Sequence, residues 1–456
     1  MKITRLFLLL VFCAPLLAQN DSNEDFPALL RKAAHGDLDS QSRVGYDYMM
    51  GRGIAQDYDQ ALYWLRKAAA QNDAMADDNL GWMFHNGKGV TRNDTEALKW
   101  FRKAADQNDA SALYNLGSMY QNGHGVAQDD AQAMSLFRKA AAQNDSDAQY
   151  SIGWAYSHGR GVEHDEQQAL VWYHKAADQD NVNALYAIGW AYDHGLGVDK
   201  DETKAFQWYM KAARLGYPDA ENNIGLAYQN GTGIDKDEVK ALEWYRKAAD
   251  TGDSTAEYNM GWSYQHGVGV DQDLHEAYRW YTKAADQNDP DAQYYLGWMY
   301  QNGKGVEQDN LQAVQYYKKS AAQGNAWAAT RLGALYMDGG PGITKNKTEA
   351  KKWLQIGADK GNAEAQDLLA QLGDVNVTPN PSARTTPTPV ARSDERGPLT
   401  ETEIRELLSH GVSPRRVMVL VKQYGVDFSL NDKLSTALKQ MGADNDLLRA
   451  ISAGHR

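Results

Sequence analysis

Five tyrosines, Tyr114, Tyr150, Tyr186, Tyr258 and Tyr294, stand at multiples of 36 residues from one another. Trp82, Trp154, Trp190, Trp262 and Trp298 keep the same interval, and so do Gln121, Asp193, Gln229, Gln265 and Gln301. Each Trp follows a Tyr position by four residues and each Gln or Asp follows the Trp by three, so the three columns share one face of a helix. Rigid aromatic area beside adaptable amide and carboxylate groups is the chemistry of surfaces that bind protein or peptide. Trp and Tyr faces beside Asp and Gln also suit sugar rings, which makes an envelope glycan or peptidoglycan the second candidate ligand. The competing reading is packing, since helices ~8–10 Å apart bring neighbouring indoles into contact. The columns break at Ser118, Asn222, Leu226, Thr330 and Ala334. Such breaks would open uneven pockets, and they favour recognition.

Other spacings lead to no reaction. His158, His194 and His266 hold one repeated position. Ligands of one zinc must lie ~2 Å from it, whereas adjacent units stand a helix diameter apart, so helix-end residues are expected instead. Asp199-x-Asp201, Asp235-x-Asp237 and Asp271-x-Asp273 lack the glycine and distal glutamate of a calcium loop and fall where helix caps belong. The recurring G-x-G pairs follow helices rather than strands, which argues against a phosphate cradle. No G-x-S-x-G or S-x-x-K nucleophile with partners stands out. The expectation is no catalytic residue, no metal and no cofactor.

The elements that position these side chains follow from the repeat itself. Gly45, Gly81, Gly117, Gly153, Gly189, Gly225, Gly261, Gly297 and Gly333 are each 36 apart. A G-x-G pair follows almost every one, as in Gly87-Lys88-Gly89, and the last copy carries an extra residue in Gly339-Gly340-Pro341-Gly342. A Trp and a K-A-A run come next, as in Trp100 with Lys103-Ala104-Ala105. Each unit therefore reads as two short helices. Leu80, Leu116, Ile152, Ile188, Met260 and Leu296 precede the glycine, and Phe84, Tyr120, Tyr156, Tyr192, Tyr264 and Tyr300 follow four residues later, as one buried stripe. Asn-Gly ends the first helix with a left-handed glycine. Asp129, Asp201 and Asp237 cap the second, and Pro218 and Pro290 open first helices. The central glycine lets the two helices approach closely. No strand pattern appears.

The chain has 47 Lys and Arg against 60 Asp and Glu, a net charge of −13. That balance argues against nucleic acid and anionic membrane as partners. Tyr and Trp, at 26 and 13, outnumber the 8 Phe, which suits half-buried or partner-facing positions. Lys2 and Arg5 precede an apolar run from Leu6 to Ala14 and then Pro15-Leu16-Leu17-Ala18, the pattern of a secretory signal over residues 1–18. The run is well short of the ~20 residues that span a bilayer, so a retained anchor is the lesser reading. Bulky Phe12 before Cys13 argues against lipidation. Cleavage after Ala18 would remove the one cysteine and leave 45 basic residues against 60 acidic ones, −15. The expectation is an exported protein, periplasmic or secreted, with no integral membrane segment after cleavage.

Segments such as Asp291-Ala292-Gln293-Tyr294-Tyr295-Leu296-Gly297-Trp298-Met299-Tyr300-Gln301-Asn302-Gly303-Lys304-Gly305-Val306 resemble the Sel-one-like repeat (SLR), a relative of the tetratricopeptide repeat. The resemblance implies an all-α fold over residues 25–373, a right-handed α-solenoid of about nine helix-turn-helix units. Stacking agrees with the bottom-up argument, because a lone hairpin cannot bury its apolar face. The resemblance also implies an adaptor for protein–protein contacts, with exported bacterial members tied to envelope regulation, host interaction or polysaccharide assembly. It implies that first helices line the concave side. Tyr114, Gln121, Tyr150, Trp154, Tyr186, Trp190, Asp193, Tyr258, Trp262, Gln265, Tyr294, Trp298 and Gln301 would then form one partner-binding groove. Cysteine-rich exported relatives have been described as β-lactamases, but they carry a cysteine pair in every repeat. The mature chain would have none, so a β-lactamase-like hydrolase is disfavoured.

Beyond Gly373 the composition shifts. Residues 374–397 are Pro- and Thr-rich and read as a disordered linker. Residues 398–456 regain helical periodicity, with Thr400 and Glu403 as a capping box, Ser413-Pro414 opening a second helix, and Asn431 and Asp444 as further caps. Leu407, Val417, Leu420, Phe428, Leu434, Leu438, Leu447 and Ile451 form the expected core of this small helical module. It would serve as a second binding head or as a localisation element. The function expected is a non-enzymatic exported scaffold that binds a protein or peptide partner.

Overall fold

A computed structural model describes residues 25–373 and, farther along, Ile404, Ser435, Leu438, Lys439, Leu448 and Ile451. The expected signal segment, the expected linker and most of the expected C-terminal module therefore lie outside the described residues. Of the core expected for that module, Leu438 and Ile451 are helical and buried, and so is Leu448. The chain divides into two compact units, Met1–Val377 and Thr378–Arg456.

The described residues of the first unit form twenty helices. A lone α1 (Phe26–Ala34) precedes nine hairpins, and α20 (Ala363–Gln371) follows them. The first helices of the hairpins are α2 (Leu38–Met50), α4 (Ala74–Asn86), α6 (Ala110–Asn122), α8 (Ser146–His158), α10 (Val182–His194), α12 (Pro218–Asn230), α14 (Ser254–His266), α16 (Pro290–Asn302) and α18 (Ala326–Asp338). The second helices are α3 (Tyr58–Ala70), α5 (Asp94–Ala105), α7 (Asp130–Ala141), α9 (Glu166–Ala177), α11 (Glu202–Arg214), α13 (Glu238–Asp250), α15 (Leu274–Asp286), α17 (Asn310–Ala322) and α19 (Lys347–Asp359). Each helix packs on its sequence neighbours, most extensively within a hairpin, which makes an α-solenoid. Among the described residues the sole strand-like pairing is a bridge between Gly340 and Ile343, in the copy with the extra loop residue.

Capping sets the helix boundaries. All nine second helices start at an Asp or Asn whose side chain accepts a backbone N–H of the first turn, as Asp165 does from Gln168 at 2.9 Å. The first helices follow the same rule with one exception, Tyr217 before α12, which makes no side-chain cap. Glycines at positive φ, such as Gly87 at 64°, close the first helices. The central glycine fixes the hairpin crossing: a Cβ on Gly153 would lie 2.6 Å from the Tyr173 ring, so only glycine lets that ring lie flat on α8.

The aliphatic half of the predicted stripe is buried throughout, with Leu80, Ile152, Ile188, Met260 and Leu296 at 0% exposure. Its aromatic half, from Phe84 to Tyr300, is half-buried, because these rings sit at the helix end where the loop departs. Among helices that are not consecutive, the closest approaches are α2 to α4, α16 to α18 and α18 to α20. Two of these are pairs of first helices, and α20 takes the place that the first helix of a further hairpin would hold. Elements on the inside of a curved stack lie nearer one another than those outside, so the first helices form the inner side.

Candidate partner-binding face on the first helices

The tyrosine column lies on the ring carried by the second helix of its own hairpin. Tyr114 meets Phe137 at 5.8 Å between centroids, Tyr150 meets Tyr173 at 5.6 Å and Tyr186 meets Tyr209 at 5.5 Å. Tyr258 with Tyr281 and Tyr294 with Tyr317 repeat the arrangement at 5.8 and 5.9 Å. Tyr114 and Tyr150 are buried by it, whereas Tyr186, Tyr258 and Tyr294 stay half-buried. Burial holds the phenols of all five above their ordinary pKa, so they act as neutral hydrogen-bonding groups.

The tryptophans Trp154, Trp190, Trp262 and Trp298 are half-buried. Three of them carry a histidine one turn on, in stacked pairs: Trp154 with His158 at 4.2 Å, Trp190 with His194 at 3.7 Å and Trp262 with His266 at 4.5 Å. Each histidine Nδ1 donates to the carbonyl of its tryptophan at 2.9 to 3.0 Å. That bond occupies an orphan carbonyl of the last turn and fixes the tautomer. The histidine column thus finishes the helix and orients the indole.

The third column has a different task from the one its composition suggested. Gln229, Gln265 and Gln301 accept the hydroxyls of Tyr245, Tyr281 and Tyr317 at 2.6, 2.9 and 2.8 Å. A buried phenol needs an acceptor, and the glutamine oxygen is committed to it within the repeat. Gln121 stands opposite Phe137, which has no hydroxyl, and its buried oxygen has no partner. Asp193 stands opposite Tyr209, whose buried hydroxyl likewise has none, while its own carboxylate lies 3.7 Å from His194. The column breaks do not open pockets at Ser118, Asn222 or Thr330. These residues are themselves 3%, 6% and 0% exposed, because neighbouring repeats close over them.

The sequence reading missed an acidic edge along the same helices. Asp78 occupies the tyrosine position of its repeat, accepts Asn115 Nδ2 at 2.9 Å, and is pushed up to about 8 by burial and by Asp109 and Asp145 nearby. Burial also raises Asp109, Asp219, Asp253 and Asp291. The signal was present as Asp or Asn at eight of the nine first-helix N-caps, but only stacking brings the caps together. The second helices carry the opposite charge: Lys175, Lys211 and Lys283 stand 3.8, 3.5 and 3.9 Å from the centroids of Trp172, Trp208 and Trp280. Among the described residues, no group of three His, Cys, Asp or Glu has the arrangement of a metal site.

The Sel1 repeat family matches residues 38–73, 74–109, 110–145, 146–181, 182–217, 218–253, 254–289, 290–325 and 328–362, one hairpin each. The chain belongs to the Sel1 repeat family. Its structure is similar to that of a protective antigen present in uropathogenic Escherichia coli strains and displaying an SLR fold. The two share 35% identity over 76% of this chain and 74% of that one, with a TM-score of 0.58. It is also similar to a Sel1 repeat protein from Oxalobacter formigenes, at 33% identity over 72% of this chain and 93% of that one, with a TM-score of 0.51. No curated protein matches the sequence. Sel1 repeat proteins are protein-interaction scaffolds, typically without enzymatic activity. No described helix is long and apolar enough to cross a membrane.

Proposed function

We propose that this Sel1 repeat protein is a non-enzymatic adaptor that binds an extended protein or peptide segment along its first-helix face. The observation that carries the reading is the ladder of half-buried, histidine-backed indoles at Trp154, Trp190 and Trp262, flanked by half-buried Tyr186, Tyr258 and Tyr294. Rings held in one orientation lose little entropy on binding, and such aromatic anchors dominate protein interfaces. Export through residues 1–18 is part of the proposal. It rests on Lys2, Arg5 and the apolar run after them, and it is supported by the likeness to an antigen of uropathogenic strains. The setting is then envelope regulation or contact with a host or cell surface.

The test is crosslinking capture from an envelope extract, with captured proteins identified by mass spectrometry. The full chain is compared with a variant carrying Trp154→Ala, Trp190→Ala and Tyr186→Ala, both checked for helicity by circular dichroism. A protein held by the native chain and lost by the folded variant supports the reading. Equal capture by both makes these aromatics packing residues. Loss of capture after the extract is treated with a glycan hydrolase would favour an envelope glycan as the ligand.

A further inference from the structure

The outer side, formed by the second helices, carries a column of lysines at the 36-residue interval. Its members differ in what they meet. Lys103 Nζ lies 2.8 Å from Asp77 and Lys247 Nζ 2.7 Å from Glu221, so both charges are answered within the stack. For Lys139, Lys175 and Lys211 the place of that acid is held by Leu113, Gln149 and Leu185. Among the described residues no carboxylate pairs with these three lysines, and all three are exposed. Lys175 and Lys211 are nonetheless held in place, their ammonium groups 3.8 Å from the Trp172 centroid and 3.5 Å from the Trp208 centroid. The Trp208 ring also meets the His174 ring at 5.3 Å, which sets α9 and α11 side by side at this point. A lysine already resting on an indole loses less freedom when an anion arrives.

The end of α11 departs from the repeat. Asp106, Asp178, Asp250 and Asp286 close α5, α9, α13 and α15, but Arg214 holds that place on α11. The next place is glutamine in six other units. That side chain ties one repeat to the one before, as Gln179 Nε2 donates to Gln149 at 2.9 Å and Gln287 Nε2 to Glu257 at 2.7 Å. On α11 it is Leu215, which gives up the joint hydrogen bond and stands 51% exposed. Val171, 47% exposed, lies one turn before Lys175 on α9, as Leu215 lies one turn after Lys211 on α11. Local rules are broken most often where function requires it. The acid that reaches this area is Asp178, beside His174.

We infer that the outer face of α9 and α11 docks an acidic peptide segment of a partner protein, one that presents carboxylates beside an apolar side chain. The inference goes beyond the adaptor reading, because it concerns the opposite side of the stack. Lys175, Lys211 and Arg214 receive the carboxylates, and the planar guanidinium can take one of them in two parallel hydrogen bonds. Leu215 and Val171 cover the apolar group. Charge complementarity selects the partner, since these cations lack acids of their own on a chain whose net charge is −13. A nucleic acid would run past the patch onto acidic surface and would leave both aliphatic side chains in water. A short acidic and apolar segment satisfies both sets of groups.

The test is fluorescence anisotropy with the full chain and a fluorescein-labelled peptide that alternates glutamate and leucine. Its glutamate–serine and serine–leucine counterparts are measured beside it. Arg214→Asp with Leu215→Gln gives α11 the ending of its neighbours, so this variant should fold as they do. Lys204→Gln with Lys240→Gln lowers the charge equally on the same helices' side, at lysines already paired with Asp201 and Asp237. Circular dichroism checks the helicity of both. The native chain is expected to bind the glutamate–leucine peptide more tightly than either counterpart. Arg214→Asp with Leu215→Gln should weaken that binding about tenfold, the order of the exposed charges altered and one partly lost apolar contact. The paired-lysine variant should leave it unchanged. Absence of binding, equal affinity for any counterpart, or an equal loss in both variants overturns the site. The aromatic variant of the capture experiment should bind the peptide as the native chain does. Binding lost there but kept by Arg214→Asp with Leu215→Gln would put the peptide on the first-helix face, which overturns this surface and leaves the adaptor reading standing.

Discussion

At the scale of single residues, the tyrosine–glutamine pair explains a column that composition alone would assign to a ligand. Tyr281 is fully buried and its hydroxyl reaches Gln265 at 2.9 Å, because an unpaired phenol there would cost about 1–3 kcal/mol. The repeat with Phe137 lacks that hydroxyl and leaves the Gln121 oxygen alone. Phe137→Tyr should therefore restore the bond and raise stability by about 1 kcal/mol, read as a shift in the urea midpoint at constant slope. A lower midpoint would mean that the site has no room for the hydroxyl. Asp78 supplies a second expectation. Its folded pKa of about 8 lies above the ordinary value of 3.8, so the unfolded chain loses this proton first as pH rises. Stability is then highest at low pH with respect to this group and is lost between about pH 4 and pH 8. Asp78→Asn should raise Tm far more at pH 8 than at pH 4, and equal shifts at both would contradict the assignment.

At the scale of the helix, two populations of aspartate do different work. Caps of the second helices, such as Asp201, Asp237 and Asp273, are lowered by the backbone N–H groups they accept. Acids at the joints between repeats, such as Asp109, Asp253 and Asp291, are instead crowded against their neighbours and raised by burial. Asp165→Ala removes the bond from Gln168 and should cost about 0.5–2 kcal/mol of unfolding free energy. Asp165→Asn or Asp165→Ser should cost much less, and a loss as large as that of alanine would point to charge rather than hydrogen bonding.

At the scale of the molecule, every hairpin meets its neighbours through the same contacts, so stability is close to a sum over units and joints. Excising residues 182–217, one whole repeat, places Asn181 directly before Pro218 and gives α12 an amide cap in place of Tyr217. The shortened chain should keep its helicity per residue and unfold cooperatively at a somewhat lower Tm. A loss of helicity beyond the missing 36 residues would show that this repeat supports the fold in a way its neighbours do not. The raised first-helix acids and the lowered second-helix caps together place the stability maximum on the acid side of neutrality. The raised acids lose stability as pH climbs above about 4, for Asp78 until about 8, and the caps lose it as pH falls below about 4.

The nine-unit period, the two helices per unit, the caps and the glycine at each crossing were legible in the residues, because each depends on contacts within a single hairpin. Gly153 needs only Tyr173, twenty residues on, and Asp165 needs only Gln168. The columns of Tyr, Trp and Gln were legible as columns too, but not what each one touches. Whether Gln265 faces a partner or a phenol depends on how two helices lie across one another, and whether Ser118 opens a pocket depends on what the adjacent repeats cover. Asp147 and Asn181 stand 34 residues apart and pair only when successive first helices stack. Periodicity alone determined the solenoid, since local spacing dictates each hairpin and an unburied face dictates stacking. Tertiary structure alone decided which polar groups are spent inside the stack and which remain for a partner, because burial and hydrogen-bond pairing are set by the joints between repeats.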